Sequence, residues 1–412
     1  MAKLDETKRA QIILALCEGN SQRATARICG VEQNTVASYL ADAGDMAIEL
    51  LHNQVRDLKV RLIQADEIHS FVGAKATTIE KMNGPTDKFG TIWCFLAVCA
   101  DTKLVFSHYL GSRKIDDAEQ FMQDVASRLA RAPSGDFEVR PTIVTDGLTV
   151  YEEAVNNAFG SACDYGIYRK LYTTVGKSGR KLKYKRLVGI ERVVKIGSPA
   201  EADINTAFVE RQNLNLRTFN RRYTRKSSGF SKTVDAHRRQ VALSLVYHNY
   251  CRMLRPLKRE IDCAESPGQK KSVWIKRLTP AMEAGLTHFR WEAADLVRLI
   301  EEFKSEARVE AREAKRRAKR DRKAKELTER LGDVSTPFWV YESTHHHTTK
   351  VHAAHCVNCN NGKGKGMKGD TKSGRWSGYA SLEEARVGAE SRQPDRHSIC
   401  HMCLGSYRLR GY

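Results

Sequence analysis

The apolar positions change period along the chain. Over Asp5 to Cys17, Ser21 to Cys29 and Gln33 to about Ala43 they recur at helical spacing, and Val36, Tyr39 and Leu40 form one stripe of the third segment. Gly30-Val31-Glu32 reads as a tight turn between the second and third segments, and Met46 to Leu62 as a helical connector. From Arg61 the period becomes two. Arg61 to Gly73, Thr91 to Asp101 and Leu104 to Leu110 predict three successive strands. Lys114 to Ala130 predicts an amphipathic helix, Pro141 to Thr145 a short buried strand, Tyr151 to Phe159 a helix and Tyr165 to Tyr172 a further strand. A helix is expected over Asn205 to Arg217, its start being either the capping box Ser198-Pro199-Ala200-Glu201 or Asn205-Thr206.

The first three segments have the form of a helix-turn-helix. Its second helix would lie in a DNA major groove and present Gln33, Asn34, Thr35 and Ser38 to base edges and phosphates; an ordinary three-helix bundle has the same periodicity. Three strands, a helix, a strand, a helix, a strand and a helix is the element order of a ribonuclease H-like domain. The expected fold is therefore multidomain α/β. It comprises a helix-turn-helix and connector over 1–60, a mixed-sheet ribonuclease H-like catalytic core over 61–255, a basic helical extension over 256–335, and a small zinc-binding module over 336–412.

Composition narrows the partners. The 412 residues are 41% hydrophobic, enough for packed cores, and carry a formal net charge of +20, which attracts a polyanion. Double-stranded DNA is the expected partner. The longest apolar run, Ile92 to Ala100, is too short to span a bilayer, so no membrane association is expected. The N-terminus lacks the apolar stretch of a secretory signal, so a cytoplasmic, nucleoid-associated protein is expected, its cysteines acting as thiols or metal ligands.

Three acids stand where chemistry is concentrated. Asp66 lies inside the first strand, and alternation puts Asp66 and Glu67 on opposite faces, so that only one of them is expected at a shared metal site. Asp146 ends the fourth strand in Val144-Thr145-Asp146-Gly147, where Gly147 is expected to permit a close turn. Glu210 lies on the following long helix. Hard oxygen ligands of this kind suit magnesium or manganese, and two such ions roughly 3.5 to 4 Å apart stabilise both oxygens of an in-line phosphoryl displacement. Taken singly, each acid reads as well as a cap or a solvated charge.

The local sequences are more specific. Asp66-Glu-Ile-His-Ser-Phe-Val-Gly-Ala-Lys75, Thr145-Asp-Gly-Leu-Thr-Val-Tyr-Glu152 and Val209-Glu-Arg-Gln-Asn-Leu-Asn-Leu-Arg217, followed by Phe230-Ser-Lys-Thr-Val and His237, resemble the DDE transposases of the insertion-sequence-one family over roughly residues 60 to 250. The resemblance implies that Asp66, Asp146 and Glu210 are the catalytic, metal-binding acids of an enzyme that cleaves the ends of its own mobile element and joins the freed 3′-hydroxyls to target DNA. It also implies that the helix-turn-helix recognises terminal repeats and that the protein works as a homo-oligomer holding two ends. The chain departs from the family in lacking paired N-terminal zinc ligands around Cys17 and Cys29, and in its longer C-terminal part. The rival functions are a non-catalytic DNA-binding regulator and a nuclease that cuts without joining.

Basic residues follow the third acid. Arg217, Arg221, Arg222, Arg225, Lys226, Lys232, Arg238 and Arg239 would hold phosphates, or else form a solvated face, and Asn213, one helical turn beyond Glu210, would contact the scissile strand. Val175 to Arg186 reads as a cationic hairpin arm or a surface loop, with Lys181, Lys183, Lys185 and Arg186 as DNA contacts. A long helix is expected from Trp291 through Leu327; its charges run all round, so it either spans between domains or binds DNA. The last segment holds Cys356-Val-Asn-Cys359 and Cys400-His-Met-Cys403, two knuckles able to close a four-thiolate shell around one structural zinc ion, with His352, His355, His397 and His401 near enough to replace a cysteine.

Overall fold

The computed structural model describes residues 4–75, 78–79, 81, 90–175, 184–225, 227–262, 273–331, 337–343, 346–354, 356, 359, 374–400 and 404. The chain forms two compact units, Met1–Lys304 and Ser305–Tyr412. The first two segments expected from the sequence, and the start of the third, share one unit. A single apolar cluster runs through it from Ile12 on the first helix to Ile300.

The unit opens with α1 (Glu6–Cys17), α2 (Gln22–Cys29) and α3 (Gln33–Gln54). Asp5 and Ser21 cap the first two helices by accepting from the amides of Lys8 at 2.7 Å and Ala24 at 3.1 Å. Gly30, at φ 62°, ends α2 in the left-handed region that the turn requires. The third expected helix and the connector are one continuous helix ending at Gln54. Gly44, which looks like a stop in the sequence, is where another helix crosses: a Cβ there would stand 2.3 Å from Cβ of Arg239. Tertiary packing carries the helix through that residue.

The sheet contains β1 (Leu62–Val72), β2 (Gly90–Cys99), β3 (Val105–Gly111), β4 (Thr142–Thr145), β5 (Asp164–Val175) and β6 (Tyr184–Ile196) in the order β3-β2-β1-β4-β5-β6. β1, β4 and β5 are mutually parallel neighbours, and the remaining pairs are antiparallel. β1 is buried almost without alternation because helices cover both its faces. On the face carrying Glu67, Phe95 packs against Phe121 of α4 (Ile115–Ser127) and Tyr151 of α5 (Val150–Phe159). On the Asp66 face lie α6 (Ala207–Phe219) and α7 (Val234–Val246), and α3 packs along α7.

α6 begins at the nearer of its two expected starts. Its first amides, on Phe208 and Val209, donate to Oε1 of Gln64 at 2.8 and 3.2 Å, so a buried side chain of β1 caps the helix and fixes its height on the sheet. Beyond α7 come the hairpin β7 (Leu254–Asp262) and β8 (Val273–Leu278), the short α8 (Pro280–Glu283) and α9 (Ala293–Leu331), whose early residues Leu296, Val297 and Ile300 enter the first core. The second unit holds β9 (Phe338–Ser343), β10 (Thr348–Ala353), β11 (Gly374–Tyr379) and β12 (His397–Ile399) in the order β11-β9-β10-β12, with α10 (Leu382–Arg392) packed on the sheet. Among the described residues no helix is long and apolar enough to cross a membrane.

Candidate metal centre and nucleic-acid interface

β1 and β4 run parallel with Ala65 beside Thr145, so the next residues, Asp66 and Asp146, emerge side by side at the end of β4. Carboxylate oxygens of Asp66, Glu67 and Asp146 lie within 4.8 Å of one another. The expectation that only one of the neighbouring acids on β1 faces the site is therefore corrected. The two do contact opposite layers: Asp66 Oδ2 accepts from Asn213 of α6 at 2.8 Å, and Glu67 Oε2 accepts from the Tyr151 hydroxyl of α5 at 3.0 Å. Because Asp146 stands past the end of its strand, between the layers, it is within reach of both.

Each acid is held separately. Asp66 Oδ1 accepts from the Glu67 amide at 2.9 Å, Asp146 Oδ1 accepts from the Leu148 amide at 2.9 Å, and Glu67 Oε1 pairs with Arg113 at 2.5 Å. Arg113 also lies over the Trp93 ring, 4.4 Å from its centroid. Burial, then the charge of Asp146, pushes Asp66 up to about 7 and Glu67 up to about 8. A site that disfavours its own carboxylate charges in this way favours a bound cation. Asn213 adds a second sign: it is only 4% exposed, its amide nitrogen is used by Asp66, and its Oδ1 has no hydrogen-bond partner among the described residues.

Glu210 stands one step away from the three-acid group. Lys170 of β5 donates to both its carboxylate oxygens at 2.6 Å, and the Thr206 hydroxyl donates to Oε1 at 2.6 Å. Its charge nevertheless acts on Asp66, raising the Asp66 pKa alongside Asp146. Gly147 lies in the bend that follows β4, closed by the Leu148 amide on Asp146. Its φ lies outside the left-handed region, and its missing Cβ leaves room for Arg169, whose Nε would be 3.0 Å away. Sequence reasoning missed Glu67, Arg113, Lys170 and the Gln64 cap. Glu67 and Gln64 had one legible signal, being polar residues at positions of a strand otherwise filled by apolar ones.

The expected DNA contacts divide. Gln33, Asn34 and Ser38 are exposed on the first turns of α3 and Thr35 is half-buried, while Val36 and Tyr39 face the core. Arg221, Arg225, Lys232 and Arg186 are exposed, and Arg217 is half-buried close enough to Asp66 to lower its pKa. Three expectations are corrected. Asn213 is an internal partner of Asp66, not an exposed strand contact. Arg222 is directed into the protein, donating to the carbonyls of Gly229 and Phe230 at 3.4 and 3.3 Å. Arg239 is taken by Asp45, at 2.7 and 2.9 Å, in a two-pronged pair joining α7 to α3. Lys181, Lys183 and Lys226 lie outside the described residues, as does the side chain of Lys185.

In the second unit, His352 Nδ1 lies 3.5 Å from Cys356 Sγ, which lies 3.9 Å from Cys400 Sγ, and the three could hold a metal ion. Cys359 belongs to the same buried cluster, walled by Trp339 and Trp376. Burial lowers His352 to about 4, leaving a neutral imidazole with a lone pair to donate. His397 instead bonds the Pro394 carbonyl at 2.9 Å, and His355, His401 and Cys403 lie outside the described residues. No known protein-family model matches the chain, and a search of curated proteins finds no relative.

Proposed function

We propose that this chain is a metal-dependent DNA transposase that cuts and joins phosphodiester bonds, with Asp66, Asp146 and Glu210 as its catalytic acids. The observation that carries the reading is the meeting of Asp66 and Asp146 on adjoining parallel strands, eighty positions apart in sequence, with carboxylates close enough to share a cation and the Asp66 carboxyl pushed above its ordinary pKa by burial and by its neighbour. Glu67 adds a third carboxyl oxygen within reach of the same point. The strand order β3-β2-β1-β4-β5-β6, with α6 laid across the acids, supports the ribonuclease H-like reading, and the exposed polar start of α3 after a three-residue turn supports the helix-turn-helix reading.

When bound, two magnesium or manganese ions would supply charge stabilisation for the attacking and leaving oxygens of an in-line displacement. The residues of the chain do the positioning. Asp66 and Asp146 offer hard oxygen ligands from β1 and β4, and the Asn213 amide fixes one oxygen of Asp66 so that the other carboxylate face is presented consistently. Arg113 and Tyr151 keep Glu67 from swinging into the substrate path. Glu210 joins the site by releasing Lys170, which is then free to pair with a DNA phosphate. Arg217, already in the field of Asp66, faces the strand beside the scissile bond.

The test is a joining assay with DNA bearing the element's ends, with magnesium or manganese. Cleaved and joined strands from the wild type, both lost in Asp146→Asn, support the proposal. Cutting without covalent joining identifies a nuclease instead, and DNA binding without any cleavage identifies a regulator.

A further inference from the structure

Among the described residues, the apolar core of the second unit comprises Phe338, Val340, Val351, Ala353, Leu382, Ala385, Ala389 and Leu404, three of them alanine, and a small core of this kind gains from a staple. The strand ends supply one. β10 and β12 are parallel neighbours, with Val351 beside Ile399, and the Cys400 amide donates to the Val351 carbonyl at 2.8 Å. His352 is the next residue of β10, and Cys356 follows on a turn whose amide returns to the Ala353 carbonyl at 3.0 Å. The Cys359 amide donates to the Cys356 carbonyl at 2.8 Å, the bond that closes a Cys-x-x-Cys knuckle.

Zinc bound to thiolate at about 2.3 Å and to imidazole at about 2.05 Å in a tetrahedron places two sulfurs about 3.8 Å apart, and nitrogen and sulfur about 3.6 Å apart. The distances here are 3.9 Å for Cys356 Sγ to Cys400 Sγ and 3.5 Å for His352 Nδ1 to Cys356 Sγ. A disulfide requires about 2.05 Å, so the sulfurs stand at ligand spacing and not at bonding distance. The three residues are 3 to 4% exposed, which keeps them from redox partners and from water. Trp339 packs on the same thiols and its buried indole N–H has no partner among the described residues, a donor that a metal-bound thiolate would satisfy better than a neutral thiol.

We propose that His352 coordinates a structural zinc ion through Nδ1, together with Cys356, Cys359 and Cys400, giving a shell of one nitrogen and three sulfurs. The four-thiolate shell that the knuckles suggest is thereby replaced by a mixed one. With all four positions filled by protein, the ion has no site for water and serves to tie β10 to β12. This inference is independent of the acidic site and survives its failure.

The experiment uses the full-length protein. Elemental analysis gives the zinc content, and X-ray absorption at the zinc edge counts the ligands. One zinc per chain with imidazole scattering and three sulfurs is expected. His352→Ala is expected to weaken zinc binding by about 100-fold or more in chelator competition, the range seen when even outer partners of a ligand are removed, and His352→Cys to restore tight binding with four sulfurs. An all-sulfur shell in the wild type, absence of bound zinc, or wild-type affinity in His352→Ala overturns the proposal. If His352→Ala does not fold, the wild-type absorption spectrum still decides.

Discussion

Replacing Asp146 by asparagine should make the metal-free protein more stable while removing its response to divalent cations. Asp66 is pushed up from 3.8 to about 7 and Glu67 from 4.5 to about 8. At about 1.36 kcal/mol for each tenfold change in proton affinity, holding either group ionised costs on the order of 4 kcal/mol, shared between two coupled acids. Desolvation is the largest cause and Asp146 the second, so removing the Asp146 charge should return only the smaller part, about 1 to 2 kcal/mol. Asparagine keeps the volume and the Oδ1 acceptor used by the Leu148 amide. Because the folded pKa values lie above the unfolded ones, the two acids contribute full stability below about pH 4, and this contribution is lost as pH rises through 7 to 8. The gain should therefore be largest at pH 8. The assay is thermal unfolding in chelator and in excess magnesium at pH 6 and pH 8. The expected result is a melting temperature about 2 to 4 °C above wild type in chelator at pH 8, and little or none of the wild-type rise on adding magnesium. An Asp146→Asn protein no more stable than wild type in chelator, or one with an undiminished magnesium response, would refute the reasoning.

Three further outcomes follow from the same contacts. Lys170→Met removes the cation holding Glu210 in a partly exposed pair, so folding stability should change by less than about 1 kcal/mol, whereas divalent-ion affinity, measured calorimetrically, should tighten roughly fivefold; an unchanged affinity would place Lys170 outside the site's electrostatics. Gly44→Ala forces a Cβ against Arg239 where α3 crosses α7 and should cost about 2 kcal/mol, read from the urea midpoint, with a neutral result showing that the crossing is loose. His237 and His248 are lowered to about 3 and about 4 by burial, so their folded forms are neutral and their contribution to stability is present above pH 6.5 and lost as pH falls below it. His237→Gln should flatten the slope of stability between pH 6.5 and pH 4.5, and an unaltered slope would remove His237 from the acid-unfolding response.

The parts of this architecture written in local sequence were those with strong period or cap chemistry. The segments around Ser21, Val36 and Phe121 carry their own helical stripes, and each forms a helix. The adjacency of Asp66 and Asp146 also followed, since a strand-end acid on β4 and a mid-strand acid on β1 meet once the strands pair in parallel. What could not be read was anything decided by a partner far along the chain. The expected helix stopped short of Gly44 because Arg239 was invisible, Arg239 looked like a free cation because its acceptor, Asp45, lies on a distant helix, Arg222 did so because the loop that folds its own backbone carbonyls back onto it has no periodic signal, and Glu67 was assigned away from the site because alternation says nothing of a neighbour that stands past its strand's end.

Under the proposed function, the Gly44 crossing would tie recognition to chemistry. α3 presents Gln33, Asn34 and Ser38 at its first turns, continues unbroken past Gly44, and is fastened by Asp45 to Arg239 of α7. On α7, His237 bonds the Tyr223 hydroxyl at 3.1 Å and Ser231 at 3.0 Å, and the segment carrying Tyr223 follows directly on α6, which bears Glu210 and Asn213. The path from the exposed start of α3 to the partner of Asp66 therefore runs through packed, partly buried contacts within one compact unit. A helix-turn-helix on a flexible tether would recognise DNA without fixing where the acids fall along it. If the proposed function holds, the docking of α3 would set the distance from recognised bases to the bond at Asp66 and Asp146, so a change at the α3–α7 contact should shift the position of cleavage before it abolishes binding.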